Sequence, residues 1–181
     1  ETKKKIKVLE TGLGTGLNAF MTYLFADLSG KERQKIQIHY TSLEAYPVEQ
    51  EVYEKLNFAA QLKTNKQEEL QLMHTAEWGK EIRFSEYFTF KKILIDFNAY
   101  TFPTEFDLIF FDAFAPTSQP EFWEPPFLAK VHNCLLDDGI LTTYCAKGSF
   151  KRALKEVGFS IESIPGPPRK REMVRAIKKP V

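Results

Sequence analysis

Residues 6–16 read Ile6-Lys-Val-Leu-Glu-Thr-Gly-Leu-Gly-Thr-Gly16. The apolar run Ile6–Glu10 is typical of a short strand, and glycines occupy every second position after it. Glycine lets the backbone approach a ligand where a Cβ would collide. The apolar segment Leu17–Leu28 then predicts a helix that ends at Gly30. A strand, a glycine-rich turn and a helix in this order predict the start of an open α/β fold.

The spacing of the glycines favours one class of ligand over another. A dinucleotide fingerprint has its third glycine one residue later, where this chain has Leu17, so a nicotinamide oxidoreductase is disfavoured. The pattern from Glu10 to Gly16 is tolerated in class I methyltransferases, because their ligand has no pyrophosphate to seat on the helix. A tight structural turn without a ligand is the alternative.

The rest of the chain alternates between strand-like and helix-like segments. Strands are predicted over residues 36–43, 88–95, 106–111 and 139–145, and helices over residues 47–60, 67–80, 122–135 and 150–157. Five alternations predict a parallel sheet with right-handed crossovers. The last strands, 159–164 and 173–177, have no helix between them and must pair as an antiparallel hairpin. We therefore predict a Rossmann-like class I methyltransferase, with residues 1–181 as a single domain.

Acidic residues follow three of the predicted strands, where an open α/β sheet binds its ligands. Glu44 could accept hydrogen bonds from both hydroxyls of a ribose, and Asp96 could contact an adenine amino group. Asp112 begins the segment Asp112-Ala-Phe-Ala-Pro116, which partly matches the element by which amino-methyltransferases hold an amine. A carboxylate there could orient the amine or take its proton. The alternative for each residue is an acid at a strand end without a ligand.

The uneven distribution of charge along the chain indicates what kind of partner it could bind. The net charge is +1, yet ten Lys or Arg and three Glu give +7 from Cys145 to Val181 and leave −6 elsewhere. This asymmetry predicts a basic face for a phosphate backbone, or else a solvated Lys-rich end.

The cysteines, the histidines and the hydropathy argue against a disulfide-rich, metal-binding or membrane protein. The two cysteines and the three scattered histidines have no metal-ligand spacing, so we expect a reduced, cytoplasmic protein without a metal. No apolar run is long enough to span a membrane.

The sequence resembles the tRNA 5-aminomethyl-2-thiouridine methyltransferases, which are the methyltransferase domain of bifunctional MnmC enzymes and their stand-alone MnmD relatives. The resemblance rests on Leu9–Asn18, Ser42–Pro47, Phe111–Pro116, Pro120–Trp123, Gly139–Tyr144 and Lys170–Met173. It implies that S-adenosylmethionine supplies one methyl group to the aminomethyl arm of a wobble uridine.

The resemblance also implies roles for individual residues. The implied S-adenosylmethionine ligands are Glu10, Gly12, Gly14, Gly16, Asn18, Glu44 and Asp96. Asp112 would meet the substrate amine. Phe114, Pro116 and Trp123 would shape a pocket for a flipped base. The candidate contacts to the anticodon arm of the tRNA are Lys147, Arg152, Arg169, Lys170 and Arg171.

Two departures from the family and several alternatives stay open. Family members usually carry a segment before the first strand, which we expect to be missing here. We also expect no attached oxidase domain, so a separate enzyme would supply the aminomethyl group. The alternatives are another methyltransferase, a polyamine aminopropyltransferase, which the basic tract disfavours, and a non-catalytic tRNA-binding subunit, which Asp112 disfavours.

Overall fold

The computed structural model describes residues 5–31, 36–112, 119–166, 168 and 170–180, with the backbone alone for residues 29–31. Its internal contacts divide the chain into two compact units. The first unit contains Gly12–Phe97 and the chain up to Ile6, and the second contains Lys7–Thr11 and Asn98–Val181.

Strands and helices alternate through most of the described residues. The strands are β1 (Lys5–Thr11), β2 (Gln37–Glu44), β3 (Glu81–Arg83), β4 (Phe88–Leu94), β5 (Phe106–Phe111), β6 (Leu135–Thr143), β7 (Phe159–Pro165) and β8 (Glu172–Lys178). The helices are α1 (Leu17–Lys31), α2 (Gln50–Tyr53), α3 (Phe58–Gln61), α4 (Gln67–Thr75), α5 (Pro125–Cys134) and α6 (Gly148–Glu156), and a 3-10 turn spans Pro120–Trp123. The strands of each unit pair in a mixed parallel and antiparallel arrangement, as the α/β Rossmann-like prediction requires.

In the first unit, β2 and β4 pair in parallel, and β3 adds to β4 as a short antiparallel edge. Glu44 is the register partner of Leu94, so both strands end at the same level. Apolar residues of β4 alternate toward one face and pack on α1. The ring of Phe88, for example, lies 5.5 Å from that of Tyr23. Aromatic packing therefore anchors the start of β4 against α1.

In the second unit, the strand order is β1-β5-β6-β8-β7. The pairs β1–β5 and β5–β6 are parallel, whereas β6–β8 and β7–β8 are antiparallel. The predicted C-terminal hairpin is therefore confirmed. In the same unit, the ring centroid of Phe150 lies 6.1 Å from that of Phe111 and 4.7 Å from that of Trp123.

Two predicted helices are interrupted in the structure. Residues 47–60 form α2 and α3 with a break near Asn57 instead of one helix. The Gln67 side chain donates to the Leu56 carbonyl at 2.8 Å, and α4 thereby satisfies a carbonyl freed by the break. The helix predicted over 122–135 begins only at Pro125, which occupies the first helical turn and has no N–H to continue the preceding 3-10 turn.

Two strand predictions and one helix end also need correction. The edge strand β3 was not predicted, because three residues are too few to show alternation. Strand β6 starts at Leu135 rather than at Gly139, and the chain passes through Asp138 with φ at 62°. Helix α4 ends at Thr75 rather than near Lys80, since Ala76 adopts an extended backbone.

The two cysteines are buried and reduced. The Cys134 thiol donates to the Val131 carbonyl at 3.1 Å, and burial raises its pKa to about 12. Neither thiol is therefore placed to act as a nucleophile.

A helix that crosses a membrane must be long and apolar. In the parts of the chain that the structure describes, no helix is long and apolar enough to cross a bilayer.

Candidate functional site

The turn between β1 and α1 has a backbone that glycine adopts most readily. The φ angles of Gly12, Gly14 and Gly16 are 94°, 50° and 74°, in the left-handed region. The Gly16 N–H donates to the Leu13 carbonyl at 2.8 Å and closes the turn. The Gly12 N–H donates to the Leu43 carbonyl at 2.8 Å and ties the turn to the end of β2.

Glu44, the last residue of β2, is held by backbone donors. It is 5% exposed. Its Oε2 accepts from the Gly14 N–H at 2.9 Å, and its Oε1 accepts from the Tyr46 N–H at 2.8 Å. Because a carboxylate has about four lone-pair sites, each oxygen can still accept one further donor. The structure thus brings together two residues predicted to bind one ligand, and two ribose hydroxyls would fit the remaining acceptors.

The space beside Gly14 is open to a ligand. A Cβ built on Gly14 would meet no atom within 4 Å, although the backbone there is held by Glu44. A side chain at this position would therefore project into open space, which a ligand could occupy instead. The turn and Glu44 together fit the ribose of a nucleoside cofactor.

Three other predicted cofactor residues lie at the ends of elements. Asp96 is exposed two residues beyond β4, and the intervening Ile95 N–H donates to the Glu44 carbonyl at 2.9 Å. Asn18 lies in the first turn of α1, immediately after the glycine turn. Glu10 belongs to the second unit and is buried near the end of β1. Their roles as ligands stay predictions.

Asp112 follows β5 directly and is exposed. Tyr144, which follows β6, is 39% exposed. Burial raises the pKa of Tyr144 above its usual value, and the negative charge of Asp112 raises it further. The Nζ of Lys170 lies 4.4 Å from the centroid of the Tyr144 ring. An acid, a phenol and a cation thus form a polar cluster at the carboxyl ends of β5 and β6.

The predicted base pocket is described only in part. Phe114 and Pro116 lie outside the described residues. Trp123 is 6% exposed and packs edge-on against Phe111, with ring centroids 5.2 Å apart. Its indole is therefore part of the core of the second unit, and a role in lining a pocket stays a prediction.

The predicted phosphate contacts are mostly at the surface. Lys147, Arg152 and Arg171 are exposed, Lys170 covers Tyr144, and Arg169 lies outside the described residues. Other basic residues of the tract are engaged within the protein. Lys151 forms a 2.9 Å ion pair with Glu172, and Arg175 forms a 3.3 Å pair with Glu162.

Sequence analysis missed a cluster in the first unit. Lys92 and His74 line the same concavity as Gly14 and Glu44. The signal for Lys92 was present in the sequence, because residues 88, 90 and 92 lie on one face of a strand. No sequence pattern pointed to His74, whose position depends on how α4 packs.

Comparison with known proteins gives consistent results. The sequence model of a family described as S-adenosyl-L-methionine-dependent methyltransferase matches residues 50–179. A protein from Campylobacter hominis, named tRNA 5-methylaminomethyl-2-thiouridine biosynthesis bifunctional protein MnmC, is 28% identical over 184 residues, covering 97% of this chain and 26% of that protein. The protein of the same name from Leptospira interrogans is 30% identical over 177 residues, covering 92% of this chain and 26% of the relative. The chain thus spans about a quarter of the length of these curated relatives.

A solved structure supports the fold. The crystal structure of MNMC2 from Aquifex aeolicus superposes with a TM-score of 0.73 at 22% identity, covering 99% of this chain and 55% of that one. At this identity the likeness establishes the α/β Rossmann-like fold.

Proposed function

This chain belongs to the family of S-adenosyl-L-methionine-dependent methyltransferases, and from that premise we propose that it methylates a tRNA base. The acceptor is the aminomethyl nitrogen of wobble 5-aminomethyl-2-thiouridine, and the product is 5-methylaminomethyl-2-thiouridine. The observation that carries the proposal is the similarity to relatives named for this nucleoside, which covers 92–97% of the chain.

The cofactor binds at the glycine turn and Glu44. Gly12, Gly14 and Gly16 let the backbone approach the nucleoside, and Glu44 accepts hydrogen bonds from the ribose hydroxyls. Asp96 contacts the adenine amino group. Glu10 and Asn18 complete the set of ligands. S-adenosylmethionine supplies an electrophilic methyl group at this site.

Asp112 positions the acceptor. An aliphatic amine attacks through its lone pair, so it must reach the site deprotonated or lose a proton there. The exposed carboxylate at the end of β5 accepts a hydrogen bond from the amine and can take up the proton that the methylated nitrogen releases. Orientation of the lone pair is a large part of such catalysis, because it replaces a random encounter.

Tyr144 provides an aromatic surface beside this carboxylate. The uracil ring of a flipped nucleotide can stack on the exposed phenol, as bases do on aromatic side chains in many RNA-binding proteins. The ammonium of Lys170 lies over one face of the ring, so the base would stack on the opposite face. The phenol and the carboxylate together receive the base and its aminomethyl arm.

The basic residues of the second unit bind the tRNA backbone. Lys147, Arg152 and Arg171 are exposed, and with Lys170 and Arg169 they contact the anticodon arm. A tRNA substrate places the enzyme in the cytoplasm. The aminomethyl group must be installed before this step, because methyl transfer requires a free amine.

The test is mass spectrometry of nucleosides from tRNA that carries 5-aminomethyl-2-thiouridine, after incubation with the protein and S-adenosylmethionine. We expect this nucleoside to gain one methyl group. A control reaction with tRNA that lacks the aminomethyl group should give no methylated uridine. If the cofactor binds but the nucleoside is unchanged, the substrate assignment is wrong and another acceptor must be sought.

A further inference from the structure

Lys92 is a buried cation beneath the glycine turn. It lies on β4 and is 2% exposed. Its ammonium donates to the backbone carbonyl of His74 and lies 4.2 Å from the centroid of the Trp78 ring. Burial lowers its pKa to about 8. A buried amine is costly unless it is partnered, so these contacts fix the position of the last turn of α4.

His74 connects the last turn of α4 to the glycine turn. Its ring stacks on that of Tyr53, with centroids 4.9 Å apart and planes inclined by 6°. Its Nε2 lies 3.2 Å from the Thr15 carbonyl oxygen. Because a carbonyl can only accept, Nε2 must carry the proton. Burial lowers the pKa of His74, which favours the neutral ring with that single donor on Nε2.

The contact falls at Thr15, between two glycines whose backbones are left-handed. Gly16 has φ at 74°, and a Cβ there would lie 3.3 Å from His74 Nε2. Glycine loses much conformational freedom when it is ordered, so the turn depends on external hydrogen bonds. Glu44 supplies one such bond at Gly14, and His74 supplies another at Thr15.

We propose that Lys92 and His74 are positioning residues for the cofactor. Lys92 holds the His74 carbonyl, and His74 holds the Thr15 carbonyl. The two bonds together keep the glycine turn in the conformation that binds S-adenosylmethionine. This inference rests on the role that the proposed function gives to the turn.

Calorimetric binding of S-adenosylmethionine to His74 variants tests the proposal without any tRNA. His74→Phe keeps a ring to stack on Tyr53 but removes the donor, and should weaken binding about fivefold, the effect of one hydrogen bond. His74→Gln can place an amide N–H near the same position and should bind within about twofold of the original protein. The melting temperatures of the two ligand-free variants should be similar.

Lys92→Met supplies a second test. It keeps the apolar stem and removes the ammonium, so it should raise the KM for S-adenosylmethionine while leaving kcat at saturation nearly unchanged. Lys91→Met is the matched control, because the neighbouring side chain points to the opposite face of β4 and should change neither constant.

The outcomes separate this inference from the proposed function. If the unaltered protein fails to bind S-adenosylmethionine, the role of the turn falls and this inference falls with it. If the unaltered protein binds but His74→Phe binds equally well, only the positioning role is overturned. Equal losses in His74→Phe and His74→Gln would show that packing, and not the donor, is what matters, and would also overturn it.

Discussion

Asp112 lies directly after β5 with its carboxylate exposed and in electrostatic contact with Tyr144. Asp112→Asn keeps the size of the side chain but removes the proton acceptor. We expect turnover to fall by about 100-fold or more, the lower range for loss of a general base, with cofactor affinity nearly unchanged. Single-turnover methyl transfer and calorimetry measure the two quantities. Asp137→Asn, an exposed acid at the other end of β6, is the matched control, and near-normal turnover in Asp112→Asn would remove Asp112 from the mechanism.

Tyr144 allows stacking to be separated from hydrogen bonding. Tyr144→Leu removes the aromatic face and should raise the KM for tRNA about tenfold, because stacking of a base on an aromatic ring contributes roughly 1–3 kcal/mol. Tyr144→Phe keeps the face and should stay within about twofold. Steady-state kinetics with tRNA as the varied substrate give both values. If Tyr144→Phe raises the KM for tRNA as much as Tyr144→Leu does, the hydroxyl is the important group and the stacking role is wrong.

At the scale of residues, sequence predicted positions better than contacts. Glu44 and Asp112 were predicted because acids at strand ends of an open α/β sheet face the ligand edge, and the structure places both at strand ends. The indole of Trp123 packs against Phe111 in the core, and its role in lining a pocket stays a prediction. His74 was missed because its contact with Thr15 joins residues 59 positions apart, which no local pattern reveals.

The glycine turn is an element whose backbone and ligand roles can be separated. Gly14→Ala should cost about 1 kcal/mol of stability, because its φ of 50° disfavours a Cβ, and should also place a methyl group in the cofactor space. Gly79→Ala is the control, since Gly79 has φ at 78° and also has no atom within 4 Å of a built Cβ. Both variants should show similar shifts in chemical denaturation, whereas S-adenosylmethionine binding should fall only in Gly14→Ala. Equal affinities would place the cofactor elsewhere.

Prediction of elements succeeded where periodicity was strong and failed at breaks. The bounds of β5, Phe106–Phe111, match the prediction because the run is apolar and flanked by charge. The single helix predicted over 122–135 overlooked that Pro125 starts a new helix. The break near Asn57 depends on side chains of α4 that accommodate freed carbonyls, such as Gln67 on Leu56. That packing is tertiary and lies outside what a local pattern carries.

The charge distribution of the whole molecule predicts how it binds RNA. The tract from Cys145 to Val181 carries +7 against −6 elsewhere, so tRNA binding should weaken steeply with salt. Arg152→Ala and Arg171→Ala should each reduce the slope of log K against log salt by about 0.7–0.9, the value for one phosphate contact. Lys80→Ala, an exposed lysine outside the tract, is the control. Fluorescence anisotropy across a salt series gives the slopes, and a binding constant independent of salt would contradict the prediction.

Because both sulfur atoms are buried, the rate at which they are alkylated reports how often the protein opens. An alkylating reagent that meets only exposed thiolates would leave the native protein unmarked, because Cys134 and Cys145 lie inside. Each labelled molecule would then be one that had opened and exposed a thiol. Since both cysteines belong to the second unit, the rate of labelling follows the opening of that unit.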